Sequence, residues 1–443
     1  MAATDPREVI DSGGMSARQW IVVILMILLN ALDGFDVLSS AFAAPGISKE
    51  WAIDRGALGI VLSAELVGMG FGSVLLGGAA DKFGRKGTML ACLVVMAIGM
   101  YLASTAHAVT PMVAFRFLTG IGIGGMLAAT NAVCAESTSN ASRRVATAAY
   151  VAGYPLGAVV GGFVAQGWLL VVYDWRAVFL FGAAVTAALI PLTLLLVPET
   201  AAYQATRRNL AGVNRTLAAF GLPQLRELAP VVASAIKPKV TDILSNPQLR
   251  PVTLLLAFGY MFHTITFYYI LKFAVTIVHD YPPGYSPADS ASVLTWANVG
   301  GMIGSFLFGF VMHKFGIRWP TVIMLALGAV AVVAFGLGRE TLAGWQWATI
   351  ITGFCTNAAI SGYYAAYSRG FPAYARGAGT GFVLGVGRLG AAGSPLLAGA
   401  LFNWLGKEQL LTVSSIMAMG SVLSLILFLM LPERDGDQVV KAG

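Results

Sequence analysis

Apolar residues along this chain run in blocks of about 20, the length a helix needs to cross a hydrocarbon core, rather than in alternating or amphipathic stripes. Twelve such blocks cover approximately residues 19–44, 58–80, 89–106, 112–135, 146–171, 177–197, 253–278, 291–312, 321–337, 346–367, 379–401 and 410–431. Polar residues collect in short loops between them. The one long polar segment, 199–250, divides six blocks from six. The pattern predicts an all-α integral membrane protein with twelve transmembrane helices. Its parts are a first half (1–198), a central loop (199–250) and a second half (251–443). Pieces of that loop, such as 209–220, have the pattern of amphipathic surface helices.

Composition agrees with this pattern and narrows it. Of 443 residues, 57% are hydrophobic and 11% charged, against about 25% charged in soluble domains. The net charge of +7 is spread too thinly between apolar runs to form a nucleic-acid-binding face. It follows the loops instead. Alternate assignment puts 20 Lys and Arg on the side of both termini and the central loop, 5 on the other side and 3 within spans. The positive-inside rule therefore predicts a multi-pass protein of the cell inner membrane with both termini cytoplasmic. Cys92, Cys134 and Cys355 are scattered in apolar stretches, with neither disulfide nor metal-ligand spacing. The four histidines are dispersed and no nucleophile–base cluster appears, so an enzyme is not expected, nor a metal or other cofactor.

Gly77-Gly78-Ala79-Ala80-Asp81-Lys82-Phe83-Gly84-Arg85-Lys86 follows the second block, and Gly309-Phe310-Val311-Met312-His313-Lys314-Phe315-Gly316-Ile317-Arg318 follows the eighth, 232 residues later. The same shift carries Arg144 onto Arg376 and Gly161 onto Gly393. The two six-span halves thus read as a parallel duplication, an arrangement that places the substrate site between halves near the midplane. The first of these loops resembles the signature loop of the major facilitator superfamily. The second copy departs from it, with His313 in place of the acid and Ile317 in place of the arginine. Within the superfamily, Asn30-Ala31-Leu32-Asp33-Gly34-Phe35-Asp36 looks like the Asp-Gly-x-Asp motif of the aromatic acid/proton symporter family. Arg116-Phe117-Leu118-Thr119-Gly120, Trp296-Ala297-Asn298 and Gly387-Arg388-Leu389-Gly390 are similar to further stretches of that family. The resemblance implies a pseudo-symmetric major facilitator fold and proton-driven uptake of an aromatic carboxylate such as a hydroxybenzoate. An aliphatic organic acid, a sugar acid or an exported compound is the alternative cargo. The expected partners are a small organic anion, protons and the lipid bilayer, with the protein acting as a monomer.

A charge at the bilayer centre costs about 2.5–3.5 kcal/mol on insertion scales and usually faces a cavity. Asp33 and Asp36, three residues apart, share one helix face. Two acids this close in low dielectric hold two charges poorly, which suits a proton carrier; Gly34 between them permits local unwinding or close packing. Glu65 is a second proton site or an ion-pair partner. Arg388, near the middle of its span, offers a planar fork to a carboxylate. Arg116 is a substrate ligand or pairs with Asp33, Asp36 or Glu65. His263 either donates to a ring hydroxyl or is a hydrogen-bonded packing residue. Lys272, near a span end, is expected to snorkel to water or attract anions. Of the aromatics in spans seven and ten, Tyr268 and Tyr364 are the candidates for contact with a substrate ring. In the loops, Gly77 and Gly84 allow close packing and a turn. Asp81 and Arg85, and Glu136 with Arg143 and Arg144, form the candidate gate. Gly120-x-Gly122-x-x-Gly125 matches a dinucleotide fingerprint but lies inside an apolar span, where glycines serve helix packing.

Overall fold

The computed structural model describes residues 5–229, 240–372 and 374–432. Lys237, Lys239, Arg434 and Lys441 of the charge count lie outside the described residues. Twelve long helices account for the twelve blocks. Spans 1 to 6 are Ala17–Trp51, Arg55–Gly77, Arg85–Ser104, Val109–Glu136, Asn140–Val164 (continued by a π-helical turn, Ala165–Leu169) and Arg176–Leu196. Spans 7 to 12 are Leu249–Asp280, Pro287–Phe315, Arg318–Gly336, Leu342–Gly370, Arg376–Leu405 and Leu410–Leu429. Eleven of them are long and apolar enough to cross a membrane on length and composition. The twelfth, span 10, is 29 residues long but carries Gln346, Thr349, Thr352, Thr356, Asn357, Ser361 and three tyrosines. Those side chains dilute its apolar character without shortening it.

The helices outrun the apolar blocks because a helix ends where its capping ends, not where the hydrocarbon does. Span 1, at 35 residues, is about 50 Å long against about 30 Å of hydrocarbon. Ser286 caps span 8 ahead of Pro287, and Thr341 caps span 10, each with its side-chain oxygen on an amide of the first turn. In the central loop, Leu210–Ala219 is helical behind an Asn209 cap, matching the amphipathic segment expected at 209–220. Its Val213 and Leu217 close a small core with Ile10 and Ala201.

The duplication is visible in the packing. A Cβ at Gly68 or Gly72 of span 2 would meet the carbonyls of Phe117 and Ile121 on span 4 at 2.2 and 2.1 Å. At Gly300 and Gly304, 232 residues further on, a Cβ would meet the carbonyls of Ile350 and Phe354 on span 10 at 2.2 and 2.4 Å. Gly157 of span 5 lies on the Ala31 carbonyl of span 1, and Gly390 of span 11 on the Met261 carbonyl of span 7. Backbone rests on backbone at each crossing, the small-residue mode of helix association in lipid. The glycine pattern at 120–125 belongs to the same scheme: Gly122 and Gly124 fit against spans 3 and 2. Gly84 and Gly316, again 232 apart, both have positive φ, +98° and +76°, a conformation that favours glycine.

The chain forms two compact units. One comprises Met1–Ser39, Val67–Gly161 and Arg176–Ser234; the other comprises Ser40–Leu66, Gly162–Trp175 and Ala235–Gly443. The second unit thus takes in ends of spans 1, 2 and 5 together with spans 7 to 12. Within it, Arg55 pairs with Asp280 at 2.7 Å and the Gly56 amide donates to the Asn403 side chain.

Candidate functional site

In the first unit the site is built on span 1. Asp33 and Asp36 are both fully buried in a continuous helix, so Gly34 serves close packing rather than unwinding. A Cβ there would lie 2.1 Å from the Tyr154 carbonyl of span 5. Asn30 ties the same crossing with a 2.7 Å hydrogen bond to the Tyr150 carbonyl. Asp33 faces spans 3 and 5, acting electrostatically on Cys92 and Tyr150. Asp36 faces span 6, where Gly182 leaves room for its carboxylate. Arg116 of span 4 is also fully buried. Its guanidinium donates to the main-chain carbonyl of Asp36 at 2.9 Å, lies 2.8 Å from the Met100 sulfur and sits over the Phe179 ring at 5.2 Å. Three charged side chains are therefore gathered where spans 1, 3, 4, 5 and 6 meet.

The loop after span 2 forms a second constellation in this unit. Arg85 bonds Asp81 at 3.0 Å, across the Gly84 turn, and Glu136 at 3.2 Å. Glu136, expected beside Arg143 and Arg144, thus takes Arg85 instead. Arg143 turns to Asp11, and Arg144 is exposed. Neither partner is near in sequence, so no local pattern signals the exchange. Gly77 is the last residue of span 2. Gly84 turns the chain into span 3 where a Cβ would strike the Glu199 carboxylate at 2.2 Å. Glu199, absent from the sequence candidates, accepts from the amides of Arg85, Lys86 and Thr200. It answers the exposed amides and two cations at the start of span 3.

In the second unit, Glu65 of span 2 and Lys272 of span 7 form an ion pair at 3.6 Å with both side chains fully enclosed. Lys272 therefore does not snorkel to water: its helix continues to Asp280, two turns beyond it, and span 2 supplies an acid. Tyr268, one turn before Lys272, is half-buried and feels the charges of both Glu65 and Arg388, and the Tyr364 hydroxyl. Arg388 is half-buried on span 11 and also acts on Tyr260. Tyr260 and Tyr364 place their hydroxyls 3.5 Å apart. Tyr363 and Tyr367 stack into the same cluster but are buried, Tyr363 bonding Ser424. Tyr268 and Tyr364 keep accessible ring surface.

His263 takes the packing arrangement. It is fully buried, with Nδ1 3.0 Å from the Ser421 hydroxyl and Nε2 3.0 Å from the Thr356 carbonyl, its ring near-parallel to Tyr363. Both nitrogens are engaged by protein.

Paired six-span repeats, buried charges in mid-span and a signature loop define a multi-pass membrane transporter rather than an enzyme. A profile of the Major Facilitator Superfamily matches residues 25–395 and, in a second match, 274–442. The chain belongs to the major facilitator superfamily. It is 28% identical to a gallate transporter of Pseudomonas putida, over 96% of this chain and 95% of that protein. It is also 28% identical to a 4-hydroxybenzoate transporter of the same organism, over 92% of each, and 28% identical to a benzoate transport protein of Acinetobacter baylyi. The fold matches the xylose transporter XylE from E. coli, partially occluded and inward open, with TM-score 0.71, 14% identity and coverage of 94% and 98% of the two chains. A bacterial homologue of the human lysosomal transporter Spinster matches at TM-score 0.69, with 16% identity and coverage of 94% and 96%.

Proposed function

We propose that the protein is a proton-coupled importer of an aromatic carboxylate of the hydroxybenzoate type. It works by alternating access in the inner membrane, with both termini cytoplasmic. The observation that carries this reading is the full enclosure of Asp33 and Asp36 on one face of span 1, in a chain similar from end to end to proteins named for gallate, 4-hydroxybenzoate and benzoate transport. Two acids in a low-dielectric setting provide a proton site whose occupancy relieves their repulsion. Arg116, hooked to the Asp36 carbonyl, ties that site to span 4. Arg388, half-buried beside Tyr260 and Tyr268, offers a bidentate fork to the cargo carboxylate, and Tyr268 and Tyr364 offer rings to stack on and hydroxyls to bond.

In the proposed cycle, proton and anion bind together because each lowers the cost of enclosing the other. The halves 1–198 and 251–443 then exchange access while the loop 199–250 keeps them joined. Asp81, Arg85 and Glu136 hold the loop end of spans 2 to 4 in one state and release it in the other.

The test is uptake of labelled 4-hydroxybenzoate by proteoliposomes under an imposed pH gradient. A protonophore is expected to abolish accumulation. Asp33→Asn and Asp36→Asn, each reaching the membrane, are expected to fall to the level of empty liposomes. Accumulation that survives both treatments refutes the reading. Competition by aliphatic or sugar acids but not by benzoates transfers it to the alternative cargo.

A further inference from the structure

A buried phenol of the second unit is left without a hydrogen bond. Tyr367 of span 10 is 2% exposed, and its hydroxyl has no partner among the described residues. A polar group enclosed in this way is destabilising until something bonds it. Its neighbours are satisfied. Tyr363 bonds the Ser424 hydroxyl at 2.6 Å, Tyr269 bonds the Ser414 hydroxyl at 2.8 Å, and His263 engages Ser421 and Thr356. Tyr367 instead faces two further rings, Tyr260 at 5.7 Å and Tyr364 at 5.8 Å between centroids. Those two hold their hydroxyls 3.5 Å apart, beyond the range of about 2.5–3.0 Å for an ordinary O–H···O bond. Three phenols thus share one long contact. Tyr364 and Tyr367, three residues apart, lie on one face of span 10. Tyr364 is 49% exposed, so the cluster is open on its side. The Arg388 charge acts on Tyr260, and a Cβ at Gly387, the residue before that arginine, would lie 2.3 Å from the Tyr260 ring. Tyr260 therefore connects the arginine to the phenol cluster.

We propose that Tyr367, with Tyr260 and Tyr364, reads a hydroxyl group on the cargo ring and so makes the site selective for hydroxylated aromatic carboxylates over unsubstituted benzoate. This deepens the function proposed above and rests on it. Arg388 holds the cargo carboxylate, the ring lies along Tyr260, and the edge remote from the carboxylate meets the phenol cluster. A phenolic hydroxyl is a donor and an acceptor at once. It accepts from the Tyr367 hydroxyl and donates to the oxygen of Tyr260 or Tyr364, so that bonds of ordinary length replace one long contact and one vacant donor. Benzoate, lacking that oxygen, leaves the Tyr367 hydroxyl enclosed and unbonded. A site built to bond a ligand hydroxyl rejects the analogue without it for this reason. Tyr367 is then a specificity-determining residue, and the carboxylate contact at Arg388 is common to both acids.

Equilibrium binding of 3-hydroxybenzoate, 4-hydroxybenzoate and benzoate to the full chain in detergent tests the assignment, beside thermal unfolding of each variant. Wild type is expected to bind one of the hydroxybenzoates about 10-fold or more tightly than benzoate. Tyr367→Phe is expected to bring that preference to within about twofold, losing affinity for the hydroxybenzoate and keeping it for benzoate. The same variant should melt at or above wild type, because the hydroxyl it removes bonds nothing in the protein. Tyr363→Phe, which loses the bond to Ser424, should melt below wild type and keep the preference. Absence of the preference in wild type, its survival in Tyr367→Phe, or its equal loss in Tyr363→Phe overturns the reading of the ring hydroxyl. So does a Tyr367→Phe that melts lower or loses both acids alike, which would make the residue a packing element. Each of these leaves aromatic-acid transport standing. A wild type that neither binds nor takes up any aromatic carboxylate overturns both.

Discussion

Gly157→Ala is the sharpest test of the packing. The new methyl carbon would lie 1.8 Å from the Ala31 carbonyl oxygen and 2.5 Å from the Ala31 Cα, both backbone atoms that no rotamer change can move. Restoring an ordinary contact requires spans 1 and 5 to part by about 1.5 Å. That separation stretches the 2.7 Å bond from Asn30 to the Tyr150 carbonyl beyond bonding range. Overpacking costs about 1–3 kcal/mol and the lost hydrogen bond about 1 more, so the expected destabilisation is about 2–4 kcal/mol. Gly70→Ala supplies the control, since Gly70 lies inside span 2 with nothing within 4 Å of a Cβ. There the change should stabilise by about 0.5–1 kcal/mol through helix propensity. Thermal unfolding of the two purified variants beside wild type reads the contrast. Gly390→Ala, at the duplicated crossing, should shift in the same direction as Gly157→Ala, its Cβ meeting the Met261 carbonyl at 2.2 Å. If Gly157→Ala melts at or above wild type, or together with Gly70→Ala, the backbone-on-backbone crossing is wrong.

Three further outcomes are expected. Glu199→Ala strips the acceptor from the Arg85 and Lys86 amides and should lower unfolding stability by about 1–2 kcal/mol, whereas Glu227→Ala, on the exposed loop, should leave it unchanged. Arg388→Ala should raise the half-saturating concentration of 4-hydroxybenzoate about 10- to 100-fold, with Arg388→Lys between it and wild type; equal effects of both would point to packing rather than to the fork. The Asp54 carboxyl is held below the ordinary carboxylate range by the Ala57 amide and the Asn403 side chain, which bond its charged form. Its contribution is therefore complete above that range and lost as pH falls through the lowered value. Because Asp54 is exposed the increment is small: wild type should lose slightly more melting temperature on acidification than Asp54→Asn, and identical slopes would contradict this.

The spans, the duplication and the buried acids were legible because each is a statement about one stretch of chain or a fixed shift between two. Partners were not. Lys272 looked like a snorkelling lysine because its distance from the span end is visible in sequence while Glu65, on another helix, is not. Glu136 sits beside two arginines in sequence and bonds a third, since the rotation of span 4 aims it at the loop after span 2. Glu199 left no trace because its work is done on main-chain amides, which every sequence has. His263 read two ways until Ser421 and Thr356 were seen to engage both nitrogens. The polar character of span 10 was present in the sequence; its reason appears only when Gln346 is found bonding Ser292 and Gly353 against the Ala297 carbonyl, both on span 8.

That polarity has a consequence for how the chain is made. A segment with so many amide and hydroxyl groups partitions poorly into lipid by itself, because each such group must find a partner there. Thr349, Thr352, Thr356, Asn357 and Ser361 bond carbonyls of their own helix, and span 8, synthesised first, offers the Ser292 hydroxyl to Gln346 and a backbone surface at Gly300 and Gly304. Span 10 should therefore leave the insertion machinery packed against span 8 rather than as a lone helix. A lesion on span 8 would then appear as a defect in the insertion of span 10, and so as the wrong sidedness of everything downstream of it.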